Sequence, residues 1–528
     1  MNNNKVKVWL PLLFSFAMII GMYLGYKMRD AMPGKSFFYT EKRRPVQEII
    51  DLINNKYVDD VNMQAITDTA IQAILHKLDP HSVFIPVDEL SKVNEDLAGK
   101  FFGIGIEFNI ISDTLNVTHV LKDGPSFKAG IETGDKLIKV NDSSIAGIKI
   151  NIDKIRKLLR GDKGTTVSLT LLRNGNGKIV TVTRDAIPLS SIDANYMIAN
   201  GIGYIKLNKF SQETYREFMR AMEDMQKQGL KKLILDLRGN GGGILDNAIE
   251  IADEFIDGNK LITYTEGKHL KKKEYKCKRN GLFEKGALVV LADEGSASAS
   301  EVLLGALQDW DRATIIGRRT FGKGLVQEQY NLSDGSALRL TIARYYTPIG
   351  RSIQRSYSKG EKEYYNEITN RYYDGETTSA DSVKNDSSKI FKTINGKTVY
   401  GGGGISPDIF VAIDTGLIAK AMIPFYTKNT ISDFAYTFYL ANKEALLKYK
   451  TTNNFIANFS FTDNNWNQFL SKVASDSIAF GKVSLPQKQD LMDKIKAGIA
   501  RIIWRNEGYF QVINNKDKMI NKALEVLQ

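Results

Sequence analysis

The sequence predicts an α/β protein, with a β-rich module ahead of a largely parallel sheet and helical regions at both ends. Three observations predict it. Between Gly201 and Ala292 the strand-like runs "GIGYIKLNKF", "KKLILDLRG" and "GALVVLAD" alternate with helical stretches, as in βαβ units. Residues 99–186 change to a period of two, with a hairpin signal at Asn174-Gly175. Apolar residues at three- and four-residue spacing fill 46–97 and much of the chain after Asp414.

At 528 residues and 43% hydrophobic, the chain can build several domains with real cores. Its net charge of +12, from 72 Lys+Arg against 60 Asp+Glu, is scattered and not striped among aromatics, which disfavours nucleic acid as a partner. One cysteine, Cys277, excludes an intrachain disulfide and a cysteine-rich metal site, and no metal or cofactor is expected.

Taken in order, "VWLPLLFSFAMIIGMYLGY" (Val8 to Tyr26) carries no charge, and its 19 residues as a helix reach about 28 Å, close to the hydrocarbon thickness. Residues 1–28 read as a cytoplasmic tip and membrane anchor. The alternative is a cleaved signal, for which "LGYKMRD" offers no small-x-small site. Either way the bulk of the chain is exported; the expected location is the inner membrane, with the remainder in the periplasm. Residues 29–98 form a helical connector whose second helix is ended by Asp79-Pro80. Within 99–186, "GKFFGIGIEFNI" puts Ile104, Ile106 and Phe108 on one strand face, and "NIDKIRKLLRG" is an amphipathic helix. Residues 187–355, rejoined by 397–413, form the α/β core; its helix "SQETYREFMRAMEDMQKQ" starts at a Ser cap with Glu213 nearby. The polar segment 356–396 reads as a loop without chemistry. The helical domain 414–528 could dock an adaptor protein, pair with a second copy or pack on the core, and the sequence leaves these open.

In such sheets chemistry lies beyond the carboxyl ends of the strands. Two turns fall there, "DLRGNGGG" and "ADEGSASAS", and both are expected to open onto one crevice. The first has neither GxGxxG nor GxxxxGK[ST] order, so a nucleotide is disfavoured, while its backbone N–H groups suit a single oxyanion. The second crowds Ser296, Ser298 and Ser300 at a strand-to-helix turn, where an Oγ gains exposure and a helix N-terminus behind it. No Gly-x-Ser-x-Gly elbow occurs. None of the four histidines, His76, His81, His119 and His269, falls at a strand end of the core, so each reads as structural or superficial. Lys323 is the candidate base, flanked by Phe321, Gly322, Gly324 and Leu325. At the ordinary pKa of about 10.4 only roughly one lysine in 2,500 is neutral at pH 7, so burial has to lower it by about 3 units. Ser–Lys pairs are a known variant of serine catalysis. "SYSK" at 356–359 repeats the residue types by accident in a polar segment.

"FFGIGIEF" with "GPSFKAGIETGDKLIKVND" resembles a PDZ domain, Ser126 standing where alanine is commoner. "GSASASEVLLGALQD" followed by "TFGKGLVQ" resembles the carboxyl-terminal processing peptidases, the tail-specific serine proteases of the S41 class. "LDPHS", "LILDLRGNGGG", "DGSALRLTIARYYTPIGRSIQ" and "GGGGISPDI" extend that resemblance from about residue 45 to 412. It implies a crotonase/ClpP-like protease core with Ser298 as nucleophile, Lys323 as general base and Gln327 orienting the lysine. It also implies an oxyanion hole from Ala299 and the Gly241, Gly242, Gly243 turn, with Glu301 in support. The PDZ resemblance implies that Phe102, Gly103, Ile104, Gly105 and Ile106 hold the nonpolar C-terminal tail of a polypeptide substrate, with Arg160 as a gating contact. The rival reading is a tail-binding scaffold without turnover, against which Ser298, Lys323 and Gln327 are all present. A lipid or acyl-group binder has no feature in its favour.

Overall fold

A computed structural model describes residues 4–31, 45–383, 389–414, 422–478 and 483–528. Parts of the expected anchor, connector, polar segment and C-terminal domain, at 1–3, 32–44, 384–388, 415–421 and 479–482, lie outside the described residues. The chain divides into two units, Met1–Ile74 and Leu75–Gln528.

The first unit is helical: Asn4–Ala31, Pro45–Lys56 and most of Met63–Leu75. Its first helix contains Trp9–Lys27, which is long and apolar enough to cross a membrane and has none of its length buried. The third helix ends at Leu75, four residues before the expected stop. The reason is local: the Asp79 carboxylate accepts the N–H groups of His81 and Ser82, both at 2.8 Å, and folds 79–82 into a tight turn.

The second unit is built on a six-stranded sheet in the order Ile192–Ala199, Ile202–Leu207, Lys232–Asp236, Ala287–Ala292, Thr314–Gly317, Ile409–Phe410. All its pairings are parallel except the first. The central strands are continuous apolar runs because both faces are covered. Leu233, Leu235 and Val290 pack under the helices Thr214–Lys227, Leu245–Asp253 and Ala299–Asp309. Ile234, Val289 and Leu291 on the other face meet Met519, Ile520 and Ala523 of the last helix, Lys518–Leu527. One of the three roles left open for the C-terminal region is thereby filled: its final helix completes the core. The helix Thr214–Lys227 begins three residues after Ser211, with Glu213 at its cap position and no side-chain cap.

An antiparallel sheet flanks this core. Its strand Ala337–Tyr346 pairs with Leu325–Asn331, with Val83–Ile85 and with Leu261–Glu266. The β-rich module is a sheet in the order Ile106–Ile111, Thr114–Val120, Lys136–Val140, Thr166–Arg173, Asn176–Thr183, closed over by the helix Ile152–Leu159. Asn174 and Gly175 both take positive φ (50° and 85°), the two-residue hairpin expected from their identity. Ile106–Ile111 is an edge strand of that sheet.

The polar segment is not a bare loop. Residues Glu361–Tyr373 form a helix whose Tyr364 and Arg371 are buried against the core. Glu367 accepts from Arg355 (2.6 Å) and Arg371 (2.9 Å), and Arg371 donates to the Thr320 carbonyl at 2.7 Å. A charged, serine-rich composition masked this because its buried residues pair with distant ones. Most of the remaining C-terminal helices share their own core around Phe434, Phe455, Phe469, Leu491 and Ile495.

Candidate active site

The strand Ala287–Ala292 runs into a turn at 293–298, and the helix Ala299–Asp309 behind it is buried along its whole length. Of the three serines, Ser296 and Ser300 are fully buried, and only Ser298 keeps partial exposure. Ser296 Oγ donates to the Leu237 carbonyl at 2.8 Å and Ser300 Oγ to the Asn240 carbonyl at 2.9 Å. The two outer serines therefore stitch the serine turn to the glycine turn. Ser298 sits at φ 56°, ψ −115°, a backbone conformation that costs a non-glycine residue about 1–3 kcal/mol.

The glycine turn lies directly against it. Ala297 N–H donates to the Asn240 carbonyl at 2.9 Å. A Cβ on Gly242 would meet the Ala297 carbonyl oxygen at 2.7 Å and Ser298 Cβ at 2.8 Å, and one on Gly243 would strike the Phe210 carbonyl oxygen at 2.0 Å. Glycine is required at both positions by this approach. The Gly242 N–H is already engaged by Asn240 Oδ1 at 2.9 Å, while Gly241 and Gly243 are exposed.

Lys323 precedes the strand Leu325–Asn331, and its Nζ donates to Gln327 Oε1 at 2.8 Å. Gln327 Nε2 donates to the His81 carbonyl, so the amide has one orientation, with its oxygen toward the lysine. Burial, aided by the nearby Arg339 charge and opposed by Asp79 and Glu301, lowers the Lys323 pKa to about 8. His81 Nε2 lies 2.9 Å from the Tyr364 hydroxyl, and burial, then the Lys323 charge, drops its pKa to about 3. It stays neutral and contributes a backbone carbonyl, not a base.

Glu301 ties the two halves together. Its fully buried carboxylate accepts the N–H groups of Ser298 (2.9 Å) and Lys323 (2.8 Å) on Oε2. Oε1 accepts the Gly322 N–H at 2.7 Å and the Thr320 hydroxyl. Burial pushes its pKa up to about 7 against these four donors. The Tyr345 hydroxyl lies between the carbonyls of Ser298 and Lys323, with one proton to donate to either.

In the β-rich module the helix Ile152–Leu159 and the edge strand Ile106–Ile111 bound a groove of about 320 Å³. Gly103, Ile104, Gly105 and Ile106 line it, and Phe101 does so in place of Phe102. Adjacent residues of a strand face opposite sides. Phe102 pairs with Ala186 and is 39% exposed. The carbonyls of Ile104 and Gly105 are held by the N–H groups of Ser126 and Leu121. Arg160 bonds Glu95 at 2.6 Å and stacks 4.2 Å over the Phe101 ring, so it bridges the module to the helix Val87–Ala98.

Sequence reasoning missed three contributors: the His81 carbonyl, Tyr364 and the weight carried by Glu301. Of these only Glu301 had a local signal, since Ser-x-x-Glu at the head of a helix is a capping-box spacing.

The profile of peptidase family S41 matches residues 201–360 and that of the PDZ domain matches 103–183. A family of unknown function matches 423–505. The chain is 36% identical over 315 residues to the "Carboxy-terminal-processing protease" of Bartonella bacilliformis, covering 58% of this chain and 71% of that one. It is 36% identical over 314 residues to a "Probable CtpA-like serine protease" of Staphylococcus epidermidis, covering 59% of this chain; the match spans 63% of that relative's length. Among solved structures, the photosystem II D1 C-terminal processing protease aligns at 26% identity over 70% of this chain and 87% of its own, with a TM-score of 0.35. The chain belongs to peptidase family S41.

Proposed function

We propose that the chain is an exported, membrane-anchored serine endopeptidase that takes nonpolar C-terminal tails in its PDZ groove and cleaves the polypeptide at Ser298. The observation that carries this reading is the part-buried Lys323 amine held by a neutral amide, two residues before a strand, with its backbone sharing one carboxylate with Ser298. With a pKa of about 8, about a tenth of the lysines are neutral at pH 7. Gln327 orients the amine without adding the negative charge that would raise its pKa.

The neutral Lys323 takes the Ser298 proton as Oγ bonds to the scissile carbonyl carbon. The oxyanion is received by the Ala299 N–H at the helix start and by the Gly241 and Gly243 side of the glycine turn. The Lys323 ammonium then protonates the leaving amine as the C–N bond breaks. Water deacylates the serine with Lys323 again as base. Strand addition along Ile106–Ile111 supplies main-chain affinity for the tail, and the apolar groove supplies selection. The helix containing Trp9–Lys27 supplies the anchor.

The test compares the full chain with its Ser298→Ala form on an unstructured protein ending in apolar residues and on the same protein with a charged tail. Cleavage that needs both Ser298 and the apolar tail is expected. Tail binding by both forms with no cleavage by either would replace this reading with the scaffold.

A further inference from the structure

The tail groove has a wall that does not come from the PDZ module. Arg501, on the helix Leu485–Asn514, lines it together with Glu107 and Asn109 of the edge strand. The helices of that region are held to the module by the Tyr436 hydroxyl on the Val117 carbonyl (3.2 Å) and by Asn109 on Asp433 (3.3 Å). Glu107 is shared between two arginines. Arg505 Nη2 donates to Oε1 at 2.6 Å, and Arg501 Nη2 reaches Oε2 at 3.2 Å. The helix breaks at Trp504–Arg505, where Arg505 takes φ 64°, and this break accompanies the tighter contact. Burial alone would raise the Glu107 pKa, but the Arg505 hydrogen bond and the Arg501 charge hold it below the usual range. Glu107 is therefore ionised and satisfied chiefly by Arg505, and Arg501, its side chain 48% exposed, faces the groove with charge to spare.

A peptide added along Ile106–Ile111 alternates its side chains. The terminal side chain enters the apolar side, toward Ile104, Ile106 and Leu159. The residue before it, and the one two further up, then point to the opposite side, the Glu107–Arg501 side. The geometry points to Arg501 as a specificity-determining residue: a helix outside the PDZ module supplies a cation that favours an acidic side chain at the next-to-last position in an otherwise nonpolar tail. This rests on the tail-binding reading above.

The experiment measures binding of fluorescent peptides to the full-length Ser298→Ala protein in detergent at low salt. The peptides share one nonpolar tail and differ by Glu, Gln or Lys at the next-to-last position. Half-exposed ion pairs predict that Glu binds about two- to fivefold tighter than Gln and Lys weaker by a similar factor. Added salt should compress the series. Arg501→Gln should flatten it, and Arg501→Lys should preserve the order. An order that survives Arg501→Gln, or no order in the parent protein while all three peptides bind, overturns the inference and leaves the tail-binding reading intact. No binding of any nonpolar tail overturns that reading and this inference with it.

Discussion

The turn that carries Ser298 and the groove beside Ile106–Ile111, the two places where the proposed function puts a peptide, are held in place in opposite ways. The turn is over-determined: buried Ser296, Ser300, Glu301 and Tyr345 fix it from within one packed core. The groove is an edge strand with half-exposed charged walls, and one of those walls arrives from residue 501. The first arrangement suits chemistry, which loses rate with small displacements. The second suits selection among related tails, where modest contacts decide.

The comparison can be broken most severely at the turn. Ser298→Ala or Lys323→Ala should lower proteolysis by at least about 10³-fold with the circular dichroism spectrum unchanged. Glu301→Gln should cost about 10²-fold in kcat/KM and lower the melting temperature. An amide offers one accepting atom where the carboxylate serves four donors, and each buried donor left unpaired costs about 1–3 kcal/mol. The pH profile sharpens the same point. In the proposed mechanism Lys323 acts when neutral, and its pKa is lowered to about 8, so kcat/KM should climb about tenfold per pH unit below that value and level off above it. Arg339→Gln removes a cation that depresses this pKa and should move the rising limb to higher pH.

At the groove the effects should be smaller and confined to tail recognition. Gly105 has φ 76°, and a Cβ there would sit 3.1 Å from Ile187 Cδ1. Gly105→Val should therefore weaken tail binding about tenfold while leaving hydrolysis of a short tail-less peptide unchanged, measured by peptide titration and by turnover. The smallest change concerns Ser126, whose buried hydroxyl has no partner among the described residues. Ser126→Ala should stabilise the module by ~1 kcal/mol in thermal unfolding, with tail affinity unaltered.

How far the sequence reached differs between these same regions. The strand–turn–helix around Ser298, the Asn174-Gly175 hairpin and the parallel core were legible because each is written in a local period or a turn composition. Both glycine and serine turns do meet, as strand ends in one sheet must. The helix Glu361–Tyr373 was not legible, since Tyr364 and Arg371 look polar until His81 and Thr320 are beside them. Neither was the choice of Phe101 over Phe102, which turns on one residue of strand phase.

By itself the sequence determined the period of each element, the residue types at the two turns, the lysine between glycines and the uncharged run from Val8 to Tyr26. Tertiary structure decided which serine keeps its exposure, that Glu301 joins Ser298 to Lys323, that His81 lends a carbonyl to Gln327, and that Arg501 reaches the groove. The physical reason is range: periodicity and turn chemistry act over a few residues and leave a pattern there, whereas burial and ion pairing join residues hundreds of positions apart and exist only once the chain has folded.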